Sequence, residues 1–369
     1  MRRVAAFTDS YLPTVNGVTY TIKSWRDCWE RDGGRMEVVY PRADGYRPEP
    51  GEHPVRSLPF PFYEGYHLGA PYIPAGVADM DVDVVHSHTP FGIGVGGLRL
   101  ARKRDRPFVT SYHTPTSEYA DYLVPSDSVA RVIERTSEAY ERWFFDHSDA
   151  VLAPSEATRD HVVEELGVDA PVRVVPNGVD VERFRPVDAD AFRRKYDVDG
   201  DRPLVGYTGR HGFEKRLSEL VAAADGMDVT VLFGGDGPAR ESLEAQARAV
   251  DADVRFLGFL DREELPAFYS ALDVFAFPSP VETQGLVALE ANACGTPVVG
   301  ADAGALSNTV DDGETGYHFE SGDVDGFRTA IRRALDERER LREACLARRE
   351  ALSVERAVEK LTDVYATVE

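Results

Sequence analysis

Short apolar segments alternate with amphipathic segments along almost the whole chain. In the first half we predict strands at Arg3–Phe7, Glu37–Tyr40, Val82–Ser87, Phe108–His113, Ala150–Ala153 and Val172–Val175. In the second half we predict strands at Pro203–Thr208, Asp228–Phe233, Val254–Leu257, Val274–Phe277, Val298–Gly300 and Gly316–Phe319. Helical periodicity fills most intervals, for example Ser126–Phe145 and Leu217–Ala224. Because this alternation occurs twice, we predict an α/β fold with two Rossmann-like, doubly wound parallel-sheet domains.

The domain boundary is predicted where turn-forming residues follow the last strand of the first half. The segment "PNGVDVERFRP" begins at Pro176, directly after that strand. A chain of 369 residues also exceeds one ordinary hydrophobic core. We therefore place an N-terminal domain at residues 1–176 and a C-terminal domain at 177–350. Amphipathic, charged helices are predicted at Val324–Arg349 and Val354–Ala366, so residues 351–369 form a closing helix.

The charge balance is strongly acidic. The formal net charge is −22, from 42 Lys and Arg against 64 Asp and Glu. This argues against nucleic acid as a partner, because nucleic-acid binding needs a basic surface. Only five of the basic residues are lysine, and such an acidic, lysine-poor composition is typical of halophilic proteins, including those of archaea. An ordinary acidic enzyme is the alternative.

Cysteine usage and hydropathy bear on localisation. The three cysteines, Cys28, Cys294 and Cys345, lie far apart and give neither a disulfide framework nor the spacing of a metal site. No run of about 18 apolar residues is present, so no membrane-spanning helix is expected. These features indicate a cytoplasmic protein.

Two carboxylates stand out in "ETQGLVALEANACGTPVV". Glu282 follows the predicted strand Val274–Phe277, and Glu290 lies on a predicted helix, Gly285–Cys294. In open α/β sheets, ligands bind outside the carboxyl ends of the strands. The N–H groups of Gly285, Leu286 and Val287 at the start of this helix could therefore hold a diphosphate. Glu290 could accept hydrogen bonds from a vicinal diol such as that of ribose.

Basic and glycine-rich segments follow two other strands of the same domain. In "LVGYTGRHGFEKRL", Gly209 ends a strand, and Arg210 and Lys215 follow around a tight turn. Two cations at the carboxyl edge of a strand favour an anionic ligand, with Arg chelating phosphate and Lys acting as a point charge. "VLFGGDGPAR" adds a glycine turn containing Gly235, and the backbone at Phe259 could contact a base.

The first domain contributes a glycine and three histidines. Gly17 opens a helix after the first strand and could approach phosphate. His86, His88 and His113 lie at the ends of two strands. A metal site is the alternative, but the spacing of zinc ligands is missing. We therefore expect His113 to act as a hydrogen-bonding group in a cleft between the domains.

These segments together resemble one family, the retaining GT-B glycosyltransferases of family 4, also called glycosyltransferases group 1. The resemblance rests on the E-x7-E pair Glu282–Glu290 and on "YTGRHGFEK", "VVPNGVDVERF", "GFL…AFYSALDVFAFPS", "CGTPVVG", "SYLPTVNGVTYTI" and "HSHTP". It extends almost from end to end and is strongest from Leu204 to Tyr317. The joint pattern is specific, whereas any single motif is not.

The resemblance implies a role for each matching residue of the C-terminal domain. Arg210 and Lys215 would neutralise the diphosphate leaving group of a nucleotide-sugar donor. Glu282 would bind hydroxyls of the donor sugar, and Glu290 would hold the ribose. UDP-glucose and GDP-mannose are candidate donors, because neither the base nor the hexose of the donor follows from these residues.

The resemblance also implies a role for the first domain. Gly17 would let its loop touch the diphosphate, and His113 would face the sugar and the reaction centre. The site would lie in the interdomain cleft, and the last helix would cross back to the N-terminal domain. Transfer would retain the anomeric configuration, with the leaving phosphate taking the acceptor's proton.

Two other cofactor patterns fit less well. Several Asp-x-Asp pairs occur, but Asp81 and Asp83 lie at the wrong end of a strand for donor binding, and we expect no essential metal and no other cofactor. "GIGVGG" supplies a G-x-G-x-x-G at Gly92, Gly94 and Gly97. In a dinucleotide site this motif follows the first strand, and an acidic residue ends the next strand. Neither condition holds here, so close packing of a helix on the sheet is the better interpretation.

The acceptor is the least determined part of the function. "SLPFPFYEGYHLGAP" concentrates aromatic residues in one loop, which either packs normally or forms an acceptor wall or membrane-touching surface. Arg102, Lys103, Arg104 and Arg106 form a basic cluster that either meets anionic lipid or stabilises a helix C-terminus. "ETQGLV" and "SLPFPFY" resemble glycolipid-forming hexosyltransferases, which favours a lipid or lipid-linked acceptor and a peripheral contact with the inner membrane face.

Other functions remain alternatives. A mannosyl- or glucosyltransferase acting on a glycan, in protein glycosylation or polysaccharide synthesis, is the second candidate. A GT-B sugar-nucleotide epimerase or hydrolase would need no acceptor. A non-catalytic sensor would require the loss of Glu282, Arg210 or Lys215, and all three are present.

Overall fold

The chain forms two compact units. The computed structural model describes residues 2–59, 67–113, 127–198 and 202–368, and of residues 127–134 it describes the backbone alone. The first unit comprises Met1–Asn177 and Ala357–Glu369, and the second comprises Gly178–Arg356. Each unit is built around its own parallel sheet.

The first unit contains a seven-stranded parallel sheet, whose strands are β1 (Arg3–Phe7), β2 (Arg35–Pro41), β3 (Glu52–Val55), β6 (Val84–Ser87), β7 (Phe108–Ser111), β8 (Ala150–Ala153) and β9 (Val172–Val174). Their order in the sheet is β3-β2-β1-β6-β7-β8-β9. A separate antiparallel pair joins β4 (Ser57–Pro59) to β5 (His67–Gly69). Apart from the exposed Arg3, the residues of the central strands β1, β6 and β7 are buried, which agrees with helices covering both faces of the sheet.

The helices of the first unit include long ones that follow β1, β6 and β7. The described helices are Gly17–Arg31, Ala75–Ala78, Gly92–Arg104, Asp127–Phe145 and Glu156–Asp160, the last continued by a π turn at His161–Glu165. The closing helix Val354–Thr367 contributes its residues from Ala357 onward. Its Tyr365 is fully buried, packs edge-on against Trp29 with 5.4 Å between ring centroids, and bonds to His86 Nδ1 at 2.7 Å.

The glycines of "GIGVGG" serve helix packing. A Cβ atom at Gly94 would lie 1.9 Å from the carbonyl oxygen of Thr89, and one at Gly97 would lie 3.0 Å from the ring of Phe7. The helix Gly92–Arg104 can therefore approach the sheet only because these positions lack side chains. This confirms the packing interpretation of the motif.

The second unit has a six-stranded parallel sheet, whose strands are β10 (Leu204–Thr208), β11 (Thr230–Gly234), β12 (Asp253–Gly258), β13 (Val274–Phe277), β14 (Val298–Ala301) and β15 (Gly316–Phe319). Their order in the sheet is β12-β11-β10-β13-β14-β15. Numbered within the unit, this is the doubly wound order 3-2-1-4-5-6. The strand order reverses between β10 and β13, so the loops that follow these two strands border a crevice.

Short helices connect the strands of the second unit. The described helices are Asp190–Lys195, Leu217–Ala224, Arg240–Ala247, Leu265–Ala271, Leu286–Ala293, Leu306–Thr309, Val324–Asp336 and Arg338–Arg348, with 3-10 turns at Phe213–Lys215 and Arg349–Leu352. Nowhere in the described ranges does a helix combine the length and apolar character needed to cross a bilayer.

The sequence predicted most strand positions but misplaced some boundaries. Strands β1, β8, β13 and β15 match their predicted bounds. The predicted helix Val324–Arg349 is wrong as a single element, because Glu337 leaves helical geometry (φ −105°, ψ 11°) and its carboxylate accepts from arginines on both sides. The strands β3, β4 and β5 were not predicted. Proline occurs in two of them, and it is tolerated at sheet edges such as that occupied by β3.

Candidate active site

The loop after β10 carries the two predicted cations. Gly209 adopts φ +141°, and its N–H donates to the carbonyl of Gly234 at 3.2 Å. Arg210 follows and pairs with Glu214 one turn later, in a region where both side chains are mostly buried. Lys215 ends the short 3-10 turn Phe213–Lys215. The turn therefore returns Lys215 to the carboxyl edge of the sheet.

Lys215 and Glu282 meet although 67 residues separate them in the chain. Lys215 Nζ lies 2.7 Å from Glu282 Oε1 and also donates to the carbonyl of Val281 at 3.3 Å. The two side chains are 14% and 15% exposed. Glu282 belongs to the loop after β13, and β10 pairs directly with β13. The switch point of the sheet thus brings together a predicted cation and a predicted sugar-binding carboxylate.

The helix Leu286–Ala293 begins beside Glu282. Gly285 is its N-cap with φ +75°, and a Cβ atom there would lie 2.8 Å from Leu306 Cδ2. Among the described residues, no side-chain hydrogen bond caps this helix start. Its first N–H groups, at Leu286 and Val287, belong to the set that cannot bond within a helix. The structure therefore presents a partly positive helix end next to the Lys215–Glu282 pair.

Glu290 is buried on the same helix, with 8% of the residue exposed. Its Oε2 accepts a hydrogen bond of 2.8 Å from the Tyr269 hydroxyl, and its Oε1 lies 3.9 Å from Nη1 of Arg262. Burial raises the pKa of the Glu290 carboxyl, and the nearby Arg262 charge opposes that shift. The remaining lone pairs of this carboxylate can accept hydrogen bonds from hydroxyls, as the predicted ribose contact requires.

A third loop touches the first at two glycines. Gly235 has φ +102°, and a Cβ atom there would lie 2.0 Å from the carbonyl oxygen of Gly209. The Gly235 N–H donates to the carbonyl of Gly258 at 2.7 Å, which ties β11 to the end of β12. Phe259, directly after β12, is 67% exposed. The predicted residues Gly209, Gly235 and Phe259 therefore follow three adjacent strands of one sheet edge.

Gly235→Ala is expected to destabilise the second unit by about 2–4 kcal/mol, from left-handed backbone strain together with overpacking. Chemical denaturation would measure the change in unfolding free energy. Gly226→Ala is the matched control, because Gly226 also has positive φ (+71°) but no atom lies within 4 Å of its Cβ position. Equal losses for the two variants would show that the contact with the Gly209 carbonyl is unimportant.

The first unit places Gly17 and His113 on separate elements. Gly17 is the first residue of the helix Gly17–Arg31, whose N-cap Asn16 accepts from the Thr19 N–H at 2.9 Å. His113 follows β7, and its Nε2 lies 3.1 Å from His88 Nδ1. Burial lowers the pKa of His113 to about 4, so the ring is neutral near pH 7. The roles implied for these two residues stay predictions.

The three histidines form a hydrogen-bonded and stacked cluster. His86 and His88 stack with ring centroids 4.1 Å apart. His86 uses both ring nitrogens, toward Ser111 at 2.8 Å and Tyr365 at 2.7 Å. Within the ranges that the structure describes, no group of three or more His, Cys, Asp or Glu side chains is arranged to hold a metal ion.

Sequence reasoning missed the residues that flank Glu290. Arg262 and Tyr269, which flank Glu290, lie 28 and 21 residues before it. No spacing rule connects them to the acid pair, because they come from a different loop and helix.

Asp9, which lies two residues after β1 in the first unit, was also missed. It accepts from Thr89 at 2.8 Å, and burial raises its pKa to about 6.

The basic cluster lies where the first unit has a helix end. Arg102, Lys103 and Arg104 occupy the last turn of Gly92–Arg104, where cations are favoured, and Arg104 donates to the carbonyl of Ala78. Arg106 pairs with Asp81 at 2.8 Å. These contacts agree with the interpretation as a helix C-terminus. Most of the aromatic loop, residues 60–66, lies outside the described residues.

Comparison with known proteins identifies the family. The model for Glycosyltransferase Family 4 matches residues 15–183, and the model for Glycosyl transferases group 1 matches residues 188–349. A GDP-mannose-dependent alpha-mannosyltransferase of Mycolicibacterium smegmatis is 33% identical over 365 residues, covering 95% of this chain and 93% of that protein. An alpha-monoglucosyldiacylglycerol synthase of Streptococcus pneumoniae is 29% identical over 329 residues, covering 84% of this chain and 73% of that protein.

A solved structure supports the same assignment at the level of the fold. The sucrose-phosphate synthase of Thermosynechococcus elongatus superposes with a TM-score of 0.80 at 24% identity, covering 100% of this chain and 99% of the other. The motifs, the two parallel sheets and these similarities agree. The chain therefore belongs to the GT-B glycosyltransferases, with a family 4 region followed by a glycosyl transferases group 1 region.

Proposed function

We propose that the protein transfers a hexose, with retention of anomeric configuration, from a nucleoside-diphosphate sugar to a lipid or lipid-linked acceptor. The observation that carries this proposal is the Lys215–Glu282 pair at the switch point of the second sheet, beside a helix N-terminus. One cation, one carboxylate and a set of backbone N–H donors lie together where α/β sheets bind ligands. A sugar diphosphate carries phosphate oxygens that the cation and the N–H groups could bind, and sugar hydroxyls that the carboxylate could bind.

The departing diphosphate carries the negative charge that develops in the reaction. Lys215, Arg210 and the first N–H groups of Leu286–Ala293 are donors or cations at the same sheet edge. Fixed donors of this kind stabilise a leaving anion without reorganisation at the moment of bond cleavage. Breaking the bond between the anomeric carbon and the diphosphate would thereby become easier, and the released phosphate oxygen could take the acceptor's proton.

The two glutamates would bind the neutral parts of the donor. Glu282, mostly buried beside Lys215, can accept from two hydroxyls of the sugar ring. Glu290, eight residues later on the helix, would accept from the ribose hydroxyls. Phe259, exposed after β12, would lie near the base. No step in this scheme uses a metal ion, and we expect transfer to proceed in the presence of a chelator.

A lipid acceptor is supported by two observations. One relative that this chain resembles is an alpha-monoglucosyldiacylglycerol synthase, an enzyme named for a glycolipid. In the first unit, Leu58 and Leu68 pair across β4 and β5 and are 74% and 47% exposed. Tyr72, close by in sequence, is 61% exposed. Such exposed apolar side chains suit an apolar acceptor or a peripheral membrane contact.

A glycan acceptor is the second candidate. It is favoured by the mannosyltransferase, which this chain matches over 95% of its own length. In that case the donor would be GDP-mannose and the product a water-soluble oligosaccharide. A GT-B epimerase or hydrolase is the third candidate, and it would process the donor without an acceptor.

The experiment that separates these candidates is a donor and acceptor screen. Purified protein would be incubated with labelled UDP-glucose, UDP-galactose or GDP-mannose and a polar-lipid extract, at low and high salt and with and without a chelator. We expect label in the organic-soluble fraction from one donor. The acidic composition, with a net charge of −22, leads us to expect that activity survives high salt.

Each other outcome of the screen has a distinct meaning. Label confined to water-soluble oligosaccharides would support the glycan transferase and reject the lipid acceptor. Free sugar released at the same rate without any acceptor would support a hydrolase. Failure of all three donors to react, with the protein folded, would reject the proposed function.

A further inference from the structure

Arg262 lies beside the buried acid of the donor site. It belongs to the segment between β12 and the helix Leu265–Ala271, and its side chain is 17% exposed. The guanidinium stacks over the ring of Phe184 at 5.3 Å from the centroid. Phe184 is fully buried, so the ring gives the cation a fixed support.

Arg262 and Glu290 form an ion pair without a direct hydrogen bond between their closest atoms. Nη1 of Arg262 lies 3.9 Å from Glu290 Oε1, which is beyond hydrogen-bond distance but close enough for a strong charge interaction. The other carboxylate oxygen, Oε2, already accepts from Tyr269 at 2.8 Å. The cation therefore favours the ionised carboxylate while leaving lone pairs of Oε1 without a bond to this guanidinium.

Other charged and titratable groups face Glu290 from the surrounding elements. Tyr269, on Leu265–Ala271, is fully buried, and burial holds the pKa of its hydroxyl well above the usual range, so it stays a donor. Cys294, after the helix of Glu290, is a buried thiol whose pKa is also raised by burial. Arg183 acts from farther away and is engaged by Asp180 and Glu263. Arg262 is thus the main cation opposing the burial of Glu290.

The protonation state of Glu290 decides what it can bind. An ionised carboxylate is an acceptor at both oxygens, whereas a protonated carboxyl exposes one O–H donor and loses an acceptor site. Ribose hydroxyls that donate to both oxygens need the ionised form. A buried carboxyl without a nearby cation would hold its proton to higher pH.

We propose that Arg262 is a positioning residue that keeps Glu290 ionised and oriented, so that Glu290 accepts hydrogen bonds from the ribose hydroxyls of the nucleotide donor. This rests on the proposed function, since it assumes that a nucleoside diphosphate occupies this edge of the second sheet. The residue acts through Glu290 and makes no contact with the reacting atoms.

The test is titration calorimetry of GDP and UDP against the full-length protein between about pH 6 and pH 9 at fixed ionic strength. Arg262→Gln is expected to weaken binding of the better nucleotide about tenfold at the low end, as losing a charged hydrogen bond does, and less than about threefold at the high end. The loss of affinity should shrink as the pH rises, because deprotonation of Glu290 in the variant restores the carboxylate that accepts from the ribose. Comparing variant with wild type at each pH cancels the titration of the nucleotide itself.

Two variants and one ligand sharpen the test. Arg262→Lys keeps the charge and is expected to restore most of the affinity at every pH. Arg202→Gln is the matched control, because Arg202 pairs with Asp228 at 2.9 Å just before β10, at the amino end of the strand rather than its ligand edge. The 2′-deoxy form of the nucleotide is expected to bind wild type and Arg262→Gln with nearly equal affinity. It lacks a ribose hydroxyl that would donate to Glu290, so the state of that carboxyl should matter less.

The outcomes separate the inference from the function on which it rests. If wild type binds neither GDP nor UDP, the proposed function and this inference both fail. If wild type binds but Arg262→Gln shows the same affinity, or a loss that does not change with pH, the inference alone is overturned. Thermal unfolding of each variant confirms that a loss of binding is not a loss of fold.

Discussion

Lys215→Ala is expected to lower the rate of sugar transfer by about 10²–10³, the cost of removing one well-placed stabiliser of a developing oxyanion. The reason is the position of the ammonium group, 2.7 Å from Glu282 at the strand edge where the diphosphate would leave. Initial rates with the preferred donor and acceptor measure the effect. The loss should appear in kcat, because the charge that Lys215 meets is largest in the transition state.

The control for this variant is another lysine with a salt bridge. Lys195 pairs with Glu264 and is 55% exposed, and it lies on the helix Asp190–Lys195, before the first strand of the second sheet. Lys195→Ala should leave the rate unchanged within about twofold, because exposed pairs contribute little. Full turnover by Lys215→Ala would refute the role proposed for Lys215.

Glu282→Ala is expected to reduce kcat/KM about 100-fold, because hydrogen bonds from two sugar hydroxyls to a carboxylate are lost. The binding of UDP or GDP, which lack the sugar, should be unchanged or slightly tighter. The variant frees Lys215 from its partner, so the ammonium group meets the diphosphate without competition from Glu282. Steady-state kinetics and calorimetry on the same preparation measure the two quantities.

A surface acid provides the comparison for Glu282. Glu339, 82% exposed and paired with Arg338 at 3.7 Å, should tolerate Ala without a change in either measurement. If Glu282→Ala lost nucleotide binding to the same degree as transfer, the carboxylate would be supporting the fold of the loop. Its proposed contact with the sugar would then be wrong.

The repeated alternation of apolar and amphipathic segments was enough to predict the fold class. Strands such as β13 and β14 are continuous apolar runs because both faces of a parallel sheet are buried. The edge strand β3 and the pair β4–β5 could not be predicted in this way. They are short and carry Pro54 and Pro59, and their pairing depends on neighbours rather than on an internal pattern.

Part of the candidate site could also be predicted from the sequence. Lys215 and Glu282 each follow an apolar strand, and residues at the carboxyl ends of parallel strands share one edge. That these two side chains touch could not be predicted, since the contact depends on β10 pairing with β13 rather than with another strand. The same holds for Glu290, whose partners Tyr269 and Arg262 come from a preceding loop and helix.

By itself, the sequence determined the two-domain α/β architecture, the loops at the carboxyl edge of the second sheet and the residue types at the candidate site, because hydrophobic periodicity and turn chemistry act locally along the chain. Only the tertiary structure decided which charges meet. The order of strands in the second sheet sets Lys215 against Glu282, and the packing of Phe184 and Tyr269 sets Arg262 near Glu290 without a direct hydrogen bond. Such distances depend on how separate elements pack, and no local pattern encodes them.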